Sequence, residues 1–206
     1  MKQVLRFLAW VAVSVSLLLL IAWTFWQQEV QYLLPTPVPS NYKVVSPGQL
    51  IAFNNSSLQP QRHRKPILLH FFSPSCPCSR FNLQHFNTLY RAFGQQVDFF
   101  AVTPDAQDLE KAKGYLPDGI TVIHDKNEAL ARACGVYSTP QAAIIRADNT
   151  LYFRGNYNRS RYCTDQATNY VEQALYSLIT GKPLPAFDSL ATISYGCAIE
   201  WDEAAQ

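Results

Sequence analysis

"FFSPSCPCSRF", Phe71 to Phe81, joins a strand-like apolar run to a polar, helix-like one and places two cysteines, Cys76 and Cys78, on either side of a single proline. A buried structural cysteine rarely needs so close a neighbour, and a zinc knuckle ordinarily spaces its ligands by two residues or more. Pro77 reads as the first residue of a helix, where the missing N–H has no intrahelical partner to lose. Cys76 then lies at the helix start, beside backbone N–H groups that no carbonyl satisfies. Those groups and the helix dipole favour an anion, so Cys76 is expected to ionise readily and to act as a nucleophile. The competing reading is an inert, buried cysteine pair.

The surrounding chain alternates strand and helix signals. "PILLHFF" (66–72) is a short apolar run suited to a buried strand. "SRFNLQHFNTLYRAFG" (79–94) has Phe81, His85, Phe86, Leu89 and Phe93 at helical spacing, with Gly94 as its stop. Strands follow at 97–104 and 120–125, with a polar helix at 106–116 between them. A helix over 127–135 has Asn127 as its expected cap and Gly135 as terminator. Residues 141–156 read as a hairpin turning at Asp148-Asn149, and 164–181 as an amphipathic helix capped near Thr164. The order βαβαβαββα predicts an α/β domain with a mixed sheet and helices on both faces.

"ILLHFFSPSCPCSRF", the later "VYSTPQAAII" and this element order resemble the thioredoxin superfamily, in particular its membrane-anchored periplasmic members. The resemblance spans residues 64–181 and implies a thioredoxin-like mixed β-sheet flanked by helices. It puts Cys76 in the nucleophile's place. Cys78 falls on the family's intervening proline and Ser79 on its second cysteine, a departure from the usual Cys-x-x-Cys pattern. Thr139-Pro140 matches the family's cis-proline loop, where Thr139 would hydrogen-bond an extended substrate. His70, six residues before Cys76, stands where many thioredoxins carry a buried acid, and is a candidate proton relay; a hydrogen-bonded core histidine is the alternative.

Five cysteines occur, at 76, 78, 134, 163 and 197. Side chains two apart on a helix diverge, so a Cys76–Cys78 disulfide would be strained and oxidising. Cys78 is nonetheless the expected resolving or second redox sulfur. Cys134 is a further resolving candidate, or else a small core residue. "SYGCAIEW", with Cys197, looks like the ending of some redoxin-like proteins. A structural Cys163–Cys197 bond is the preferred reading there, and a redox relay from this tail to the Cys76 pair is the other.

The N-terminus sets the compartment. Phe7 to Trp26 is an uncharged run of about 20 residues, long enough to cross a bilayer as a helix. Lys2 and Arg6 precede it, and no Lys or Arg follows before Lys43. This asymmetry keeps residues 1–6 in the cytoplasm and exports the rest, giving a single-pass bacterial inner-membrane protein with a periplasmic domain. No small-residue cleavage site follows, so an uncleaved anchor is preferred to a signal peptide. Residues 27–46, with Pro35, Pro37 and Pro39, read as an extended spacer, 47–181 as the domain and 182–206 as a tail.

The formal charge of +2 and the few basic clusters, such as "QRHRKP" (61–66), which reads as a solvated loop, do not point to nucleic acid. No Gly-rich phosphate loop is present, and no organic cofactor is implied. Sequons at Asn54, Asn55 and Asn158 are expected at chance frequency. The function expected is thiol–disulfide exchange with protein clients. Three alternatives compete: a Cu(I) chaperone using Cys76, Cys78 and His70 or His124; a peroxide-reducing redoxin, whose Pro-x-x-x-Thr/Ser-x-x-Cys pattern is missing around Pro74; and a redox-inert binding module.

Overall fold

In the computed structural model, residues 1–28, 30, 34–53, 58 and 65–201 are described. The sequons at Asn54 and Asn55 and positions 61–64 of the basic stretch lie outside them. The chain divides into two units, Met1–Leu34 and Pro35–Gln206.

The first unit is a helix, α1 (Lys2–Gln28), in which no residue is buried. At 1.5 Å per residue it is about 40 Å long, more than a hydrocarbon core requires. It is long and apolar enough to cross a membrane.

The second unit is built on β1 (Ile67–Phe71), all five residues of which are buried. β1 runs parallel to β2 (Asp98–Thr103) and antiparallel to β5 (Gln141–Ile145). β3 (Thr121–His124) extends the sheet beyond β2, and β6 (Leu151–Gly155) beyond β5. The order is therefore β3-β2-β1-β5-β6. A strand buried on both faces must be apolar throughout, which is why "ILLHF" lacks polar alternation.

Two cores result. Leu68, Ala142 and Ile144 face α2 (Pro77–Phe93) and α5 (Tyr170–Ile179), meeting Phe86, Leu89, Val171 and Leu175. Ile67, Leu69 and Phe71 face the opposite way, onto Leu130 and Cys134 of α4 (Ala129–Cys134). The helices thus flank a mixed sheet on both faces. Full burial of each such Leu or Phe stabilises the fold by about 1.5–3 kcal/mol.

Some boundaries differ from those the sequence predicts. The N-cap position of α4 is Glu128, not Asn127, and the hydrogen bonds that satisfy the helix start come from Asp125. The Asp125 carboxylate accepts from Leu130 N (2.8 Å) and Ala131 N (2.9 Å). α5 starts at Tyr170, six residues after Thr164, because Asp165 instead caps a short 3₁₀ turn by accepting from Ala167 N. The proline-rich stretch is not a free spacer from Pro35 onwards. Pro35 bridges to Tyr195, and Thr36 N donates to Ser194 O at 2.8 Å. Ser194 in turn is fully buried, and its hydroxyl accepts from Gln141 Nε2.

Candidate active site

Cys76 is the N-cap of α2, in an extended conformation, with Pro77 following at the helix start as expected. β1 delivers it: the chain leaves the sheet at Phe71, turns through Ser73–Ser75, and Cys76 N donates to Ser73 O at 3.0 Å. Ser79, at the family's second-cysteine place, is buried and accepts from Ser73 N through its hydroxyl (3.3 Å), tying helix to loop.

Opposite lies a second, two-stranded sheet. β4 (Ser138–Thr139) pairs antiparallel with β7 (Cys197–Ala198), Thr139 facing Cys197 and Ser138 facing Ala198. The Thr139-Pro140 bond is cis. Cys76 Sγ lies 3.5 Å from the Thr139 carbonyl oxygen. Cys76 and Cys197 are joined as a disulfide, with Cα atoms 6.0 Å apart. The expected Cys163–Cys197 bond is thereby corrected. β7 carries Cys197 to the helix start, whereas Cys163 sits against α2 with its thiol donating to Asn82 Oδ1 (3.0 Å).

Cys78 is likewise not the sulfur bound to Cys76. It follows Pro77 on α2, is buried, and carries a thiol. Cys134, the other resolving candidate, is fully buried in the core between α4 and the sheet, where desolvation pushes its thiol far up. Burial also raises the Cys163 thiol, to about 12. Neither forms a thiolate readily near neutral pH.

His70 points into the α2 side of β1, stacked on Phe86 (ring centroids 4.3 Å apart) with Nδ1 2.7 Å from the Tyr157 hydroxyl. Desolvation lowers its pKa to about 3. It stays neutral through the pH range in which a relay would work, so the core-histidine alternative describes it better. Among the described residues, no three His, Cys, Asp or Glu side chains converge to hold a metal ion. The Cu(I) set of Cys76, Cys78 and His70 or His124 is not assembled: Cys76 is bonded to Cys197, and His70 is sealed in the core.

One group has no counterpart in the sequence reading. Asp108, just before α3 (Leu109–Tyr115), is 5% exposed and accepts from Ser73 Oγ (3.0 Å) and Ser75 Oγ (3.4 Å). It braces the turn that carries Cys76. The only hint was a second acid in "TPDAQDLEK", which looks like an ordinary helix start. Ser73, Ser75, Cys76, Asp108, His124, Thr139 and Cys197 all line one open cleft.

A mixed sheet ordered β3-β2-β1-β5-β6, with a cysteine capping the helix after its central strand, is the arrangement of a thioredoxin-like fold. Within that class the chain belongs to the family described as "Domain of unknown function (DUF6436)", matched over residues 49–201. It is similar to an uncharacterized conserved protein from Geobacillus kaustophilus, with a TM-score of 0.64 and 20% identity over 84% of this chain and 100% of that one. It is also similar to a hypothetical protein from Sinorhizobium meliloti, with a TM-score of 0.54 and 22% identity over 67% of this chain and 80% of that one. A third similarity is to a secreted Mycobacterium tuberculosis disulfide oxidoreductase, with a TM-score of 0.45 and 20% identity over 61% of this chain and 87% of that one. No curated protein matches.

Proposed function

We propose that this chain is a membrane-anchored thiol–disulfide oxidoreductase whose redox pair is Cys76 and Cys197. The observation that carries this reading is the disulfide between a helix N-cap and a strand laid on Ser138–Thr139. In the reduced pair, the helix N-terminus favours Cys76 as the thiolate. Cys76 attacks one sulfur of a client disulfide: a Cys76–client bond forms, the client S–S bond breaks, and the second client sulfur leaves as a thiolate. Cys197 then attacks Cys76 Sγ and expels the first client sulfur. Two electrons pass to the client, which takes up the two protons of the pair, and the Cys76–Cys197 disulfide remains. The same path in reverse oxidises a client dithiol. Thr139 presents its backbone to the client, and Asp108 holds the Ser73–Ser75 turn.

The finer placement follows from the charges around α1. Lys2 and Arg6 on one side, with the next cation at Lys43, favour a periplasmic site in a bacterial inner membrane. Disulfides persist in that compartment.

The test uses purified full-length protein in detergent, equilibrated with glutathione redox buffers and then alkylated. One two-electron transition is expected, lost equally in Cys76→Ser and Cys197→Ser and retained in Cys78→Ala. A transition that survives Cys197→Ser, or vanishes in Cys78→Ala, would overturn the assignment. Alkylation of intact spheroplasts tests the side: labelling of the reduced pair from outside is expected, and labelling only after lysis would contradict it.

A further inference from the structure

The tail occupies the site as a separate polypeptide would. β7 adds to β4 as an antiparallel strand, and the pairing continues with Ile199 N donating to Tyr137 O at 2.9 Å. β7 is the one strand partner of β4 among the described residues. With the tail in place, Cys76 is 3% exposed. A client disulfide reaching Cys76 along this edge must put its backbone where residues 196–199 now run.

From this, and resting on the redox reading above, we infer that residues 196–201 are an intramolecular occupant of the client edge, so that tail and client exclude one another. The client is an extended polypeptide of the pattern Gly-Cys-x-aliphatic. Three features of the tail define that pattern. Gly196 has a φ of +132°, and a Cβ there would fall on the Thr139 carbonyl oxygen, so the residue before the cysteine must be glycine. Ala198 is exposed, which leaves that position open. Ile199 is 4% exposed and packs in the core with Val136 and Leu130, so the second residue after the cysteine is apolar.

The pivot lies at Tyr195–Gly196. Before it, the chain is pinned in the interior: Asn156 Nδ2 donates to Ile193 O (2.6 Å), and Gln141 Nε2 to Ser194 Oγ (2.9 Å). Beyond it, the non-covalent ties are the β4–β7 pairing, continued by Ile199 N donating to Tyr137 O, and the Thr36 hydroxyl donating to Gly196 O (3.2 Å). Ile199 also fills its pocket, and Trp201 lies against Arg132 (4.7 Å) and Tyr42 (5.7 Å). Opening the Cys76–Cys197 bond with a dithiol reductant removes the covalent latch and leaves these.

The test compares full-length Cys197→Ser with Cys197→Ser/Ile199→Asp in detergent. The probe is the peptide acetyl-Gly-Cys-Ala-Ile-amide, activated on its cysteine as a pyridyl disulfide. Cys76 attacks the peptide sulfur, the S–pyridyl bond breaks, and pyridinethione leaves with the proton and is read by absorbance. A tail docked nine-tenths of the time slows the reaction roughly tenfold, so Ile199→Asp should accelerate it by about that factor. A peptide with Asp in place of Ile should react about tenfold more slowly than its parent in the open variant. Equal rates with and without Ile199→Asp would show that the tail does not cover the edge, and equal rates for the two peptides would show that the pocket reads nothing. A dimer joined between Cys197 of one copy and Cys76 of another in the wild type would make a second copy the occupant and overturn a separate client. Small dithiodipyridine should react at Cys76 in both variants, and failure there would overturn the redox reading itself. Should Ile199→Asp not fold, hydrogen exchange in the wild type decides: the Ile199 amide should be strongly protected in the oxidised protein and only about tenfold protected after reduction. Protection undiminished by reduction would overturn the inference.

Discussion

Thr139 faces Cys197 across the β4–β7 pair, and its carbonyl oxygen lies 3.5 Å from the sulfur of Cys76, so one backbone residue adjoins both halves of the disulfide. Thiol counting follows from that geometry. Of five cysteines, two are bonded and three carry thiols. Alkylation of the denatured, unreduced chain should add three groups, and alkylation after reduction five. Cys163→Ser should keep the bond, whereas Cys197→Ser should abolish it. A bond that disappears in Cys163→Ser would restore the pairing rejected above.

The disulfide spans 121 positions of sequence. In the chain-entropy treatment, closing a loop of that size stabilises the fold by up to about 5 kcal/mol. Reduction should therefore lower the denaturant midpoint of the Pro35–Gln206 unit, and Cys76→Ser should match reduced wild type. An unchanged midpoint on reduction would mean that the unfolded chain is already constrained.

Acid should destabilise the protein through His70. Its folded pKa, about 3, lies below the ordinary 6.5 because burial desolvates the cation. Above pH 6.5 neither the folded nor the unfolded form is protonated, and His70 imposes no penalty. As pH falls from 6.5 towards 3, the unfolded chain binds a proton that the folded chain refuses, and stability drops by about 1.4 kcal/mol per pH unit. His70→Gln should flatten this slope relative to wild type in unfolding measurements between pH 7 and 4. Parallel curves for the two proteins would show that His70 titrates normally.

Asp108 offers another handle on the site. Its carboxylate accepts from two serine hydroxyls in the turn before Cys76. Hydrogen bonds to charged groups contribute about 1.5–3 kcal/mol, so Asp108→Ala should destabilise by an amount of this order. It should also slow exchange at Cys76, because the turn that aims the sulfur loses its brace. Destabilisation without a change in exchange rate would reduce Asp108 to a structural role.

How much of this was legible beforehand depends on how local each interaction is. The strand–helix junction at 71–81, the apolar run of β1, the proline start of α2 and the hairpin over 141–156 all depend on neighbours within a few residues, and the one-dimensional pattern carries them. At the start of α4 the difference is two positions, since Asp125 and Asn127 carry side chains of equal capping ability and packing selects Asp125. The partner of Cys76 was of another kind. Cys197 is brought in by backbone pairing to Ser138–Thr139, by Thr36 bonding Ser194 from the other end of the unit, and by Ile199 entering the core. None of those contacts has a sequence period. Local pattern alone pointed to a cysteine at a helix start on an α/β sheet, because capping and strand burial depend on near neighbours. Which sulfur meets it came from tertiary contacts, because that depends on where a distant strand finds its edge.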